Sequence, residues 1–596
     1  MINTSAQENM KDLEFLSTLV KLLARDVEEQ REAVGLLLSL SDDVEARRRI
    51  GRLRGCIVML VSILNGEDQE ASDDARKLLN AMSGNTQHAL HMAEAGYFKP
   101  LVKYLKEGSE MSRILMATAL SRLELTDQNK ASLGEDGAIE PLVTMFNTGN
   151  LEAKLSALNA LQSLSNLKQN IQRLIHSGIV VSLLQLLFSV TSVLMTLREP
   201  ASAILAKVAQ SESILVKHDV AHQMLSLLNL SSPVIQNHLL EALNNIVSHS
   251  NAAKVRTKMK ENGAIKLLLP FFTERDTQIR TGALKLVYTL SKDIQEELIE
   301  QLDYANVNIV VNLVSKSTSD SEKAAAFGIL SNLPLSDKKI TELLKNANLV
   351  PLMVSMISLS QEHSTPATEW LSESIAGVLV RFTIPTDKKL QHYSAANGVI
   401  PILLKLLSSP SETAKSKAAL CLTQLSQNSL HLAKSRKLKW FCVPPIDAFC
   451  QVHDGYCSIK GTFCLVKAGA ITPLAQILEG TERGSADEAV LSCLSTLLPD
   501  EIWESGCNHL VKNSCVDAII RVLMFGSLKA REKALWILER VFRVESYRVE
   551  YGESAQVVLI DLAQSGDAAL APLVAKGSAS SATALSRYNN ITLFPH

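Results

Sequence analysis

Cys442, Cys450, His453, Cys457 and Cys464 lie within one short stretch, spaced Cys442-x7-Cys450-x2-His453-x3-Cys457 with Cys464 following. They include four of the chain's nine cysteines. Three chemistries fit. Cys442, Cys450, His453 and Cys457 supply the soft donors of a tetrahedral structural zinc site. Alternatively, two of the thiols form a redox pair, or thiols and aromatics simply pack as a folded loop. The spacing lacks the paired C-x2-C knuckles that mark zinc ribbons. Cys464 falls where a helix buries an apolar residue, so core packing accounts for it. Elsewhere the sequence carries no phosphate-binding loop, no H-E-x-x-H and no nucleophile elbow. His88 and His91 share a helix face with no third ligand near them in sequence, which reads as structural. The acid pairs Asp42–Asp43 and Asp73–Asp74 are expected at links, as helix N-caps. No catalytic residue is assigned, and no cofactor beyond that structural zinc.

The elements that hold this stretch repeat along the chain. The phrases "EAGYFKPLV", "EDGAIEPLV", "HSGIVVSLL", "ENGAIKLLL", "ANGVIPILL" and "KAGAITPLA" place Gly96, Gly137, Gly178, Gly263, Gly398 and Gly469 in register, with Gly55 starting the series. Weaker copies put Asp219, Asn306, Asn348 and Ser514 at that position. From 55 to 96, 137, 178 and 219 each step is 41; later steps are 44, 43, 42 and 50, then 71 from 398 to 469, then 45. A period near 40 implies stacked helical repeats. The small residue ends a short first helix. Pro100, Pro141, Pro351, Pro401 and Pro473 then belong in the first turn of a second helix, where a missing N–H costs nothing. A third helix follows, with apolar residues at i, i+3, i+4 and i+7 as in "AKLSALNALQSLS". The 71-residue step marks an insertion of about 30 residues over the 41-residue period, near 435–464, and the Cys/His stretch fills most of it.

The totals agree with a helical array. Aromatics are 5% and the formal net charge is −2 over 596 residues, so no nucleic-acid partner is expected. The start shows no secretory pattern, which predicts reduced thiols and a cytoplasmic location, with the plasma-membrane periphery and the nucleus as alternatives. The most apolar segment, Ile179–Leu197, is interrupted by Ser, Gln and Thr and reads as a buried amphipathic helix rather than a membrane span. Two basic runs, "EARRRIGRLRG" (45–55) and "KSRKLK" (434–439), read as solvated links; peripheral contact with anionic membranes is their alternative use.

Period, Gly–Pro punctuation and apolar phase together resemble the armadillo (ARM) repeat. The resemblance implies an all-α, right-handed solenoid of about twelve repeats over 13–576, after a flexible 1–12 and before a disordered tail at 577–596. It also implies a groove lined by third helices. The aligned groove position reads Ser39, Ala81, Arg122, Ser163, Lys207, Asn245, Thr289, Asn332, Arg381, Gln424, Thr496 and Arg540. The partner-binding stretch is expected at Arg122, Ser163, Lys207, Asn245, Thr289, Asn332, Arg381 and Gln424. ARM import receptors repeat Asn there, and this chain does so twice. Arg122, Lys207, Arg381 and Arg540 give a basic tilt suited to an acidic or phosphorylated protein segment. More narrowly, "LVKLLARDVEEQREAVGLLLSLS", the Trp440–Leu474 segment and "ALWILERVF" resemble the ARM region of plant U-box/ARM E3 ubiquitin ligases of the long-ARM, senescence- and defence-associated subgroup. That resemblance implies a substrate-binding scaffold in protein ubiquitination. Residues 1–12 leave no room for the E2-recruiting U-box, so this chain by itself is expected not to recruit an E2. The competing reading is a membrane-peripheral or regulatory ARM protein without ubiquitin chemistry.

Overall fold

A computed structural model describes residues 12–189, 194–216, 220–359, 365–427, 429, 449–457, 463–480 and 486–564. These form two compact bodies, 1–264 and 265–596. Both are all-α stacks of three-helix repeats, an α-solenoid architecture.

In the first body, one repeat comprises helices Asp127–Glu135, Ile139–Thr148 and Leu151–Ser165. The first is nine residues long and ends where Gly137 takes φ 79°. All seven phrase glycines adopt positive φ. That left-handed turn strains any residue with a Cβ, which explains the series of glycines. Asn348 and Ser514 make the same turn at φ 53° and 55°, while Asp219 lies outside the described residues. Asn306 does not make the turn. The break falls at Asp303 (φ 57°), whose carboxylate accepts from the Asn306 N–H at 2.8 Å.

Third helices start on side-chain caps. Asn150, Asp68 and Asp276 each accept from backbone N–H groups of the first turn. Asp43 caps helix Val44–Arg52 as expected, but Asp73 and Asp74 sit inside helix Gln69–Met82, pairing with Arg76 at 2.7 Å and Lys77 at 2.9 Å. The cap there is Asp68, because only it precedes the helix. The basic run at 45–55 is also mostly helix rather than link. Ala46, Ile50 and Gly51 face inward while Arg48, Arg49 and Arg52 are exposed. His88 is buried, its ring packed where a Cβ on Gly51 would sit, and burial lowers its pKa.

Apolar residues of the third helices fill the core; Leu158, Leu161 and Leu164 are fully buried. Neighbouring repeats are also tied by polar bridges one period apart. Asn170 Nδ2 donates to the Lys130 carbonyl (2.8 Å), Thr118 bonds Ser156 (2.9 Å), and Ser202 bonds His238 (2.9 Å). Ile179–Leu197 is divided between helices Ile179–Phe188 and Met195–Val208. No single described helix is long and apolar enough to cross a membrane. Helices Lys168–His176 and Ile179–Phe188 reach that length and composition only together, across a 79° bend.

The second body holds the elements around both candidate sites. In chain order they are α1 (Thr277–Ser291), α2 (Asp320–Asn332), α3 (Pro366–Phe382), α4 (Lys388–Ala396), α5 (Glu412–Ser426), a two-stranded hairpin of β1 (Phe449–Cys450) and β2 (Gly455–Tyr456), α6 (Leu465–Ala468), α7 (Ile471–Glu479) and α8 (Asp487–Ser495). The third helices α1, α2, α3, α5 and α8 pack in succession. Ser426 on α5 bonds Thr496, just after α8, at 2.7 Å across 70 residues. The stack therefore runs through the interrupted repeat, and the described part of the insertion falls between α5 and α6 in chain order.

Candidate functional site

Two places in the second body concentrate chemistry. The first is the face built from α1, α2, α3 and α5. Gly328 on α2 leaves room for the Tyr288 ring, which a Cβ there would meet at 2.6 Å. Gly377 on α3 leaves room for Lys417, whose Nζ would lie 2.9 Å from such a Cβ. Tyr288 in turn pairs with Trp370, ring centroids 5.7 Å apart. Lys292 Nζ sits 4.5 Å above the Tyr288 ring, and Lys285 Nζ 6.0 Å from the Trp370 ring. Lys417 donates to the Glu373 carbonyl at 3.3 Å. Burial lowers the Lys417 pKa, the Glu373 carboxylate raises it, and nearby Lys292 lowers it again. Two aromatics and three ammonium groups thus share one face, an arrangement that can hold an acidic segment by charge and by flat apolar contact.

The expected groove residues divide differently. Arg122 is exposed, and Ser163, Lys207, Asn245, Thr289 and Gln424 are partly buried on third helices. Lys207 lies 3.7 Å from Glu241, and Gln424 accepts from the Thr383 hydroxyl at 2.6 Å. Asn332 is buried, donating to the Tyr288 carbonyl (3.1 Å) and Ser291 Oγ (2.8 Å).

Arg381 corrects the expected groove. It is 1% exposed and faces the preceding repeat, not solvent. Its Nη2 donates to the Leu333 and Pro334 carbonyls at 2.7 and 2.8 Å, and its Nη1 to Thr341 Oγ1 at 3.2 Å. These carbonyls lie just past the C-terminus of α2, where a cation is favoured. Burial lowers its pKa to about 10, against the pull of Asp337, so it stays charged. Arg540 is likewise engaged, over the Trp536 ring at 3.7 Å and 3.4 Å from Asp500. The basic tilt of the ladder therefore reduces to Arg122 and a paired Lys207. The cations that do gather, Lys285, Lys292 and Lys417, sit off the aligned position. A usable signal was Trp370, one of four tryptophans in the chain, placed on a third helix.

The second place is the insertion. Cys450, His453, Cys457 and Cys464 bring their ligand atoms within 4.8 Å of one another. Cys450 Sγ lies 3.6 Å from Cys464 Sγ and 3.5 Å from His453 Nδ1, and Cys457 Sγ lies 3.5 Å from the same nitrogen. The hairpin positions three of them, pairing Phe449 with Tyr456 and Cys450 with Gly455 around a turn in which Asp454 takes φ 43°. Cys464 enters from the N-cap of α6. It is buried, as a core residue would be, but its sulfur joins the cluster. Cys442 lies outside the described residues. The three described cysteines are at most 4% exposed. His453 would be lowered by burial, but the Cys450 and Cys464 sulfurs outweigh this and raise it to about 9. The Cys457 and Cys464 thiols draw Cys450 down, and the same crowding pushes Cys457 up.

No family model matches the chain. Among curated proteins it is 28% identical to U-box domain-containing protein 44 of Arabidopsis thaliana over 586 residues, 92% of this chain and 73% of that protein. It is 27% identical to U-box domain-containing protein 43 of the same plant (92% and 73%). It is also 27% identical to U-box domain-containing protein 24 of Oryza sativa subsp. japonica (95% and 76%). A crystal structure of an engineered protein aligns with 69% of this chain and 98% of its own at TM-score 0.48 and 22% identity; the fold rests on the helix packing above, not on that likeness. Over most of its length, the chain is similar in sequence to plant U-box domain-containing proteins.

Proposed function

We propose that the chain is an armadillo-repeat scaffold that holds a protein partner or substrate for ubiquitination, in the manner its relatives' name suggests. The observation that carries this reading is the face of Tyr288 and Lys285 on α1, Lys292 at its C-terminal end, Trp370 on α3 and Lys417 on α5. An extended or helical segment bearing carboxylates or phosphates fits it. The ammonium groups supply attraction, and the rings supply area that stays rigid on binding. Trp370 is the anchor, because buried aromatics dominate such interfaces.

The test is a peptide array probed with the purified chain at two salt concentrations. Acidic and phosphorylated peptides should be retained over basic ones, more weakly at high salt. Trp370→Ala should reduce retention about tenfold, or about 1.4 kcal/mol, with thermal melting unchanged. Equal retention by the variant would remove the face from the account.

A further inference from the structure

We infer that Cys450, His453, Cys457 and Cys464 bind one structural zinc ion, which takes over the work of a first helix in the interrupted repeat. Three edges of the cluster already have the lengths of a coordination tetrahedron. With Zn–S about 2.3 Å and Zn–N about 2.0 Å, a tetrahedral site has S···S edges of about 3.8 Å and S···N edges of about 3.5 Å. The cluster shows 3.6 Å for Cys450–Cys464 and 3.5 Å for both sulfur–His453 Nδ1 edges. The remaining ligand-atom separations all lie within 4.8 Å, so a contraction on the order of 1 Å or less completes it. A disulfide would instead draw two sulfurs to about 2.05 Å, and none of the four cysteines described in this part of the chain — Cys421, Cys450, Cys457 and Cys464 — is in one.

The surroundings match a metal ligand set. His453 Nε2 lies 3.1 Å from the hydroxyl of buried Ser429, three residues past α5. With Nε2–H donating to that hydroxyl, the Nδ1 lone pair is left for the metal, the outer-shell arrangement usual for ligating histidines. Val452 and Phe463 are buried beside it, so the site is closed, as structural zinc sites are. Three thiols and an imidazole select zinc over hard cations. On binding, the thiol protons leave to solvent and the sulfurs bond the metal, with no change of oxidation state.

The position in the fold supplies the purpose. Most first helices elsewhere run nine or ten residues, as in Asp127–Glu135, Lys168–His176 and α4, although the five-residue 3-10 turn Glu212–Val216 shows that a shorter one occurs. Here α6 has four, Leu465–Ala468. The segment ahead of it meets the preceding repeat through Phe463, whose ring stands edge-on to His392 of α4 at 5.1 Å. A metal joining the hairpin to the N-cap of α6, and through Ser429 to the end of α5, closes the inserted loop and stands in for the missing turns.

The full chain, purified without added zinc, should carry one zinc per chain by elemental analysis. Cys464→Ser and His453→Ala should bring it near zero, and Cys442→Ser should leave it at one. Metal-free protein titrated with cobalt should develop tetrahedral d–d and thiolate charge-transfer absorption at one equivalent, a readout independent of whether the variants fold. The inference fails if the wild type holds no zinc and takes up no cobalt with that spectrum. It fails equally if Cys442→Ser loses the metal while Cys464→Ser keeps it, or if thiol titration shows a Cys450–Cys464 disulfide in the freshly isolated chain.

Discussion

The repeat at 127–165 and the repeat that follows α5 solve the same problem with different materials. In the first, a nine-residue helix turns at Gly137, and its successor is tied back by Asn170, which bonds the Lys130 and Leu164 carbonyls at 2.8 and 3.2 Å. In the second, four residues of helix remain, and a hairpin with two thiols and an imidazole, joined by the Cys464 thiol at the helix N-cap, occupies the approach to them. Yet the third helices stack in both places, through Thr118–Ser156 in one and Ser426–Thr496 in the other. The difference teaches that third-helix packing carries the stack. First helices are replaceable if something else closes the end of the repeat.

Metal removal should separate the two regions most. Chelation at neutral pH should abolish hydrogen-exchange protection in α6 and weaken it in α8, because binding energy in such sites is folding energy, about 10 kcal/mol or more in small zinc domains. Helix Leu151–Ser165 should keep its protection. Uniform loss across both regions would contradict the comparison.

Arg381→Ala comes next. It strands two carbonyls and a hydroxyl inside the second body, and should cost about 3 kcal/mol in urea unfolding of that body. Arg381→Lys should recover only part, since a single ammonium cannot span the same acceptors. A cost below about 1 kcal/mol would return Arg381 to the role of a solvent-facing groove residue.

The smallest effect concerns Asp487, at the start of α8. Burial, with a lesser push from Glu412, raises its pKa to about 6 from the ordinary 3.8. The folded state therefore holds a proton that the unfolded chain gives up between about pH 4 and 6. The ionised carboxylate costs stability above pH 6, and the cost fades as pH falls toward 4. Asp487→Asn should accordingly be more stable than the wild type by about 1 kcal/mol at pH 7, with no difference near pH 4. A difference that is constant with pH would show that the carboxyl is not titrating in this window.

The frame of the molecule was readable because it is backbone physics repeated. Seven glycines at a left-handed turn, and five prolines in the first turn of second helices, leave marks at fixed intervals. The site was less readable because it depends on where long or soft side chains turn. Arg381 occupies the aligned groove position, but its guanidinium reaches back to the end of α2. Helical period places a Cα on a face and leaves a long side chain free to return inward. Tyr288 and Lys417 are seated by Gly328 and Gly377, small residues that a periodicity scan passes over. In the insertion, spacing names the donor types, yet helical phase alone places Cys464 in the core. It is buried at the N-cap of α6, and its sulfur points into the cluster all the same.

X-ray absorption at the zinc edge of the full-length chain tests the central claim most directly. The account predicts a first shell of three sulfurs at about 2.3 Å and one nitrogen at about 2.0 Å. A shell of oxygens and nitrogens, or of two sulfurs with water, would show that the Cys/His cluster does not close the interrupted repeat.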